Sequence, residues 1–70
     1  VLILSIKNNL SGLLEKKGKS LYWLAQQTGV SYPTLYKINK NETDGIKFYI
    51  LEAICNTLEC RIEELLELQQ

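Results

Sequence analysis

Between Ser20 and Ile38 the chain reads SLYWLAQQTGVSYPTLYKI, two stretches of helical apolar period separated by only three residues. This juxtaposition narrows the fold more than any other feature, because two short helices joined so tightly bring their backbones close and accept only certain side-chain sizes where they cross. Ser20 is a good N-cap, Leu21, Leu24, Ala25 and Thr28 make an inward stripe, and Gly29 stops the first of the pair. Ala25 is small at the crossing, Gly29 permits the positive φ of the turn, and Val30, Leu35 and Ile38 plug the angle between the helices. Ser31 then serves as the second N-cap. Pro33 falls at the second helical position, where a missing N–H breaks no helical hydrogen bond, so the proline marks a beginning.

The rest of the chain is helical in period as well. Ile6, Leu10, Leu13 and Leu14 follow i, i+4, i+7, i+8 up to a terminating Gly18. A polar stretch from Asn39 to Gly45 reads as a loop; Phe48, Leu51, Ile54, Cys55 and Leu58 mark a fourth helix, and Ile62, Leu65 and Leu66 a fifth. Five short helices without an internal repeat predict an all-α domain occupying residues 1–70. Seventy residues allow one small core, burying ~60% of the surface that the unfolded chain exposes, which leaves little room for a large cleft. The opening VLILSI is far short of the roughly 20 apolar residues that span a bilayer and reads as an arm or short strand over residues 1–5, with an edge open to a partner chain. No signal peptide precedes the Asn41-Glu42-Thr43 sequon, and the absence of methionine implies a lost initiator or a longer parent chain.

The ordered set Ala25, Gly29, Val30, Leu35 and Ile38 within that opening stretch resembles the helix-turn-helix of the phage-repressor family, the Cro and lambda-repressor or XRE type. The resemblance covers nearly the whole chain, since LEAICNTLECRIEELLEL looks like the fourth and fifth helices of a branch with two cysteines there. It implies a compact five-helix domain with the helix-turn-helix over residues 20–39, a third helix that lies in the major groove of double-stranded DNA, and a homodimer on a palindromic operator. The chain departs from many members at Glu59 and Arg61, which stand where a glycine and a Ser or Thr cap precede the fifth helix, and at Leu21, where a DNA-contacting glutamine is common.

With Leu35 and Ile38 pointing inward, steps of about 100° per residue place Pro33, Tyr36, Lys37 and Lys40 on the outward row, flanked by Tyr32 and Thr34. Lysine neutralises phosphate or donates to guanine, tyrosine and threonine serve phosphates or base edges, the ring of Pro33 can press on a sugar or thymine methyl, and Ser31 leaves first-turn amides facing a phosphate. The formal net charge is zero but unevenly spread. Residues 1–50 carry +7 − 3 = +4 and residues 51–70 carry +1 − 5 = −4. Lys16, Lys17, Lys19 and Ser20 ahead of the second helix, with Lys47 beyond the third, are candidates for backbone phosphates on both sides of a groove.

Other chemistries lack their residues. There is no histidine, no nucleophile beside a base and no glycine-rich phosphate loop, so neither an enzyme, a cofactor nor a small-molecule ligand is expected. Cys55 and Cys60 match no metal or redox spacing and read as core thiols of a reducing compartment, so a cytoplasmic protein is expected; the family resemblance implies that it is bacterial or phage-encoded and nucleoid-associated. The sequence thus predicts a DNA-binding transcriptional regulator, acting as a repressor in the family's manner. Its alternative is a protein-binding helix-turn-helix module, such as an antitoxin-like or anti-repressor partner, favoured by the neutral total charge and by Leu21. Trp23, Phe48, Tyr49, the arm and the last helix are candidate dimer contacts.

Overall fold

The computed structural model describes residues 5–43 and 45–69. In chain order they form strand β1 (Ser5–Asn8), helices α1 (Leu10–Lys17), α2 (Leu21–Thr28), α3 (Tyr32–Asn39), α4 (Phe48–Leu58) and α5 (Ile62–Leu65), and strand β2 (Leu66–Gln69). Of the expected arm, only Ser5 lies among the described residues, where it opens β1.

The helix ends follow local chemistry. Gly18 and Gly29 end α1 and α2 at φ of 67° and 76°, a left-handed conformation that costs glycine no side-chain clash. Ser20 caps α2 by accepting from the Trp23 N–H at 3.0 Å. Glu59 ends α4 in the same left-handed region at φ 53° without being glycine, and Arg61, the residue before α5, donates its N–H to Glu64 Oε1 at 2.9 Å. The positions that depart from the family pattern therefore still make the turn.

One apolar core joins all five helices. Leu10, Leu24, Leu35, Ile54 and Leu65, one from each, are fully enclosed, and each such side chain contributes about 1.5–3 kcal/mol of burial. Leu13, Leu14, Ile38, Ile50, Leu51 and Leu58 complete it, with Val30 and Ala25 packed at its margin where α2 meets α3. Cys55 and Cys60 are half-buried against this core as free thiols. Burial and the neighbouring Cys55 thiol push the Cys60 thiol up to about 11, as suits packing rather than reactivity.

The structure departs from the sequence expectation at both ends of the helical run. Ile6 does not extend α1: it lies in β1, exposed, opposite Leu68 of β2. Asn8 and Asn9 explain this, because asparagine favours a helix start over a helix interior, and Asn8 Oδ1 accepts the Leu10 N–H at 3.1 Å. The fifth helix stops after Leu65, and Leu66 enters the strand at φ −118°, ψ 138°. An antiparallel partner is at hand. β1 and β2 pair in the register Ser5↔Gln69, Ile6↔Leu68, Lys7↔Glu67, Asn8↔Leu66, and the Asn9 N–H carries the hydrogen bonding on to the Leu65 carbonyl at 2.7 Å. Phe48, which opens α4 as its apolar period indicates, is 81% exposed, while Ile46 packs against the core and Ile50 is buried in it.

Candidate nucleic-acid interface

α2 and α3 meet across Gly29, Val30 and Ser31. Thr28 stitches this turn, its hydroxyl donating to the Leu24 carbonyl at 2.8 Å and accepting the Val30 N–H at 3.2 Å. The Gly29 N–H returns to the Ala25 carbonyl at 3.0 Å. Ser31 then opens α3, its Oγ 2.8 Å from Thr34 Oγ1 and 3.4 Å from the Thr34 amide nitrogen, which donates to it, with Pro33 in the first turn as the spacing predicts.

Burial of Leu35 and Ile38 fixes the rotation of α3. The opposite side carries Tyr32, Pro33, Tyr36, Lys37 and Lys40, all exposed, with Thr34 half-buried at the edge. Two sub-surfaces result. Tyr32, Tyr36 and Lys40 run along one line of the helix, with ring centroids of the two tyrosines 6.2 Å apart and Lys40 Nζ 5.5 Å from the Tyr36 centroid. This row presents aromatic faces and one cation together. Thr34 and Lys37 instead line a hollow of about 270 Å³ shared with Lys47 and Tyr49 at the start of α4. Lys47 and Lys37 thus border the same hollow. The sequence groups Tyr49 with the dimer candidates, and its position two residues after Lys47 is its one signal of a place here.

The remaining phosphate candidates lie at the end of α1 and the start of α2. Lys16 and Lys17 occupy the last turn of α1 and are exposed. Lys19 lies just ahead of α2 with its Nζ 4.9 Å from the Trp23 ring centroid, so the half-buried indole carries the cation on its face. Ser20 spends its hydroxyl acceptor on the α2 cap, leaving the hydroxyl hydrogen and the other first-turn amides for an anion. Among the described residues no cluster of three or more His, Cys, Asp or Glu could hold a metal, and no helix is long and apolar enough to cross a membrane.

This geometry can be set against known proteins. A family model for the Cro/C1-type helix-turn-helix DNA-binding domain matches residues 9–70. The chain belongs to the Cro/C1-type helix-turn-helix family. This Cro/C1-type domain is 30% identical over 59 residues to the HTH-type transcriptional regulator YozG of Bacillus subtilis strain 168, an uncharacterized protein, covering 84% of this chain and 70% of that one. Among solved structures it superposes on the transcriptional regulator VanUg with a TM-score of 0.78 at 26% identity, over 99% of this chain and 91% of that one. It shares its fold with a candidate DNA-binding protein from Bacteroides fragilis, at a TM-score of 0.79 and 22% identity over 90% of this chain and all of that one. The five-helix architecture and the helix-turn-helix of the resemblance are thereby shown, and the small two-stranded sheet that begins at Ser5 fits the expected short arm or strand.

Proposed function

We propose that this domain exercises the DNA-binding, transcription-regulating activity of its family by laying α3 in the major groove of double-stranded DNA. The observation that carries the reading is the rotation of α3: with Leu35 and Ile38 in the core, the groove-facing side is Tyr32, Pro33, Thr34, Tyr36, Lys37 and Lys40. Lys37 donates to guanine acceptors or to phosphate, Tyr36 and Thr34 meet base edges, Pro33 packs on sugar or thymine methyl, and Tyr32 and Lys40 extend the contact along the helix. Ser31 offers the first-turn amides of α3. Lys16, Lys17, Lys19 and Ser20 hold one flanking backbone and Lys47 the other, which fits the lysine-rich character of residues 1–50.

In this reading residues 1–70 act as one helix-turn-helix domain. It works as a homodimer on a palindromic operator in the bacterial cytoplasm and represses by occupancy. So few cations on a formally neutral chain support weak binding by one protomer, and two-fold pairing places half-sites about 34 Å apart. The two free thiols are consistent with a reducing compartment.

Selection from random duplex DNA tests the proposal. The wild-type protein should enrich one palindromic sequence, and the pair Tyr36→Ala with Lys37→Ala should lose that enrichment while keeping its helical circular dichroism. No enrichment by the wild type would overturn groove reading in favour of a protein-binding module.

A further inference from the structure

Asn8 and Asn41, far apart in sequence, meet beside the C-terminal end of α3. Asn8 closes β1, and Asn41 comes directly after the α3 cap residue, Lys40. The Asn8 carboxamide is fully engaged: Oδ1 accepts the Leu10 N–H at 3.1 Å, while Nδ2 donates to the Ile38 carbonyl and, at 2.8 Å, to Asn41 Oδ1. The backbone N–H of Asn8 donates to the same Asn41 oxygen at 3.2 Å. Asn41 stands at φ 58°, a conformation asparagine adopts more readily than most residues, and its own N–H returns to the Ile38 carbonyl at 3.0 Å. Two asparagines thus tie the ribbon built from β1 and β2 to the end of the helix that carries Tyr36 and Lys40.

We propose that Asn8 and Asn41 are positioning residues for DNA reading, a clamp that sets the tilt of α3 against the rest of the domain. This inference rests on the groove reading above. Two further features give the clamp that role. Beside it is a hollow of about 190 Å³ whose walls include Ile6, Asn8, Asn41, Thr43 and Ile46, so close apolar packing does not hold the start of the α3–α4 loop on that side. The hydrogen bonds supply the direction that packing leaves open. In addition, Lys40 immediately precedes Asn41 and places its Nζ over Tyr36, so a shift of the clamp moves an outward cation and an outward ring together.

The consequence is sharper for base reading than for phosphate attraction. An eight-residue helix is about 12 Å long, so a tilt of about 5° at one end displaces the other by about 1 Å. Directional base contacts tolerate only about 0.5 Å, whereas attraction between a lysine and the phosphate backbone varies slowly over such a distance. Loss of the clamp therefore lowers discrimination between operator and random DNA, not general affinity.

The test uses the operator enriched by the wild-type chain and measures two quantities: the ratio of operator to random-DNA affinity, and the slope of log affinity against log salt. Asn41→Gly removes the acceptor but retains the left-handed backbone, and Asn8→Ala removes the donor. Thermal melts confirm that each is folded at the assay temperature. Each variant is expected to lower the ratio at least tenfold at an unchanged salt slope, and the double variant to be no worse than either single one. A ratio within twofold of wild type in folded Asn41→Gly overturns the clamp, as does an equal loss on operator and random DNA. If the wild type enriches no sequence, groove reading fails and the clamp's role falls with it; if the wild type discriminates and the variants discriminate equally, the clamp alone fails.

Discussion

At the residue scale, the two left-handed positions among the described residues that are not glycine behave differently. Asn41 uses its side chain, in bonds to the backbone and carboxamide of Asn8. Glu59, at φ 53°, is exposed and fills a glycine position at the end of α4. An L side chain in that region costs roughly 1–2 kcal/mol, part of which glycine gives back through the greater freedom of its unfolded chain. Glu59→Gly should therefore stabilise the protein by about 0.5–1 kcal/mol, read as a higher urea midpoint at unchanged slope. A lower midpoint would mean that Glu59 makes a favourable interaction large enough to outweigh the strain. The glycine expected at this position was legible as missing; that glutamate would take up the glycine conformation was not, since a sequence shows which residue is absent and not what backbone its replacement tolerates.

At the scale of elements, helices were legible wherever the apolar period ran between a cap and a stop. α2 and α3 are the clearest case, with Ser20, Gly29 and Ser31 at their boundaries. The same period misled at the ends. Ile6 lies four residues before Leu10, and Leu66 one after Leu65, so both fit a helical stripe. What places them in strands is a partner about 60 residues away, and such pairing leaves no mark in a local pattern. Asn8 was missed as a site residue for the same reason, its Nδ2 donating to residues at least 30 positions distant. Within the ribbon, Ile6 and Leu68 are directly opposed and each about two-thirds exposed, at 66% and 63%. A double-mutant cycle with Ile6→Ala and Leu68→Ala should give a coupling of about 0.2–1 kcal/mol, as facing side chains on a half-solvated ribbon do. A coupling indistinguishable from zero would show that the strands pair without help from these side chains. Leu65, just ahead of β2 and 1% exposed, belongs to the core and not to this cycle.

At the scale of the molecule, the balance of eight cations against eight carboxylates conceals an uneven distribution of charge along the chain, on which the proposed approach to a polyanion depends. Six lysines, at positions 16, 17, 19, 37, 40 and 47, lie on or beside the helix pair or at the start of α4, whereas Glu52, Glu59, Glu63, Glu64 and Glu67 belong to α4, its C-terminal cap, α5 and β2. If each protomer neutralises about four phosphates, the salt slope on one half-site is about −3.6, and raising salt from about 50 to about 200 mM weakens binding by about two orders of magnitude. Removing a single phosphate contact by Lys47→Ala should flatten that slope by about 0.9, so that the variant's deficit shrinks as salt rises. Neutralising the acidic end by Glu52→Gln with Glu63→Gln should leave the slope unchanged, because counterions are released from the DNA and those carboxylates contact no phosphate. A slope altered equally by both substitutions would show that the charge is read as a whole and that the lysines do not make discrete contacts. The same measurement addresses assembly: on a full palindrome two protomers double the contacts, and the slope should approach about −7. If it instead stays near its half-site value on the palindrome, one protomer is bound at a time, and the two-fold arrangement is excluded while groove reading by α3 stands.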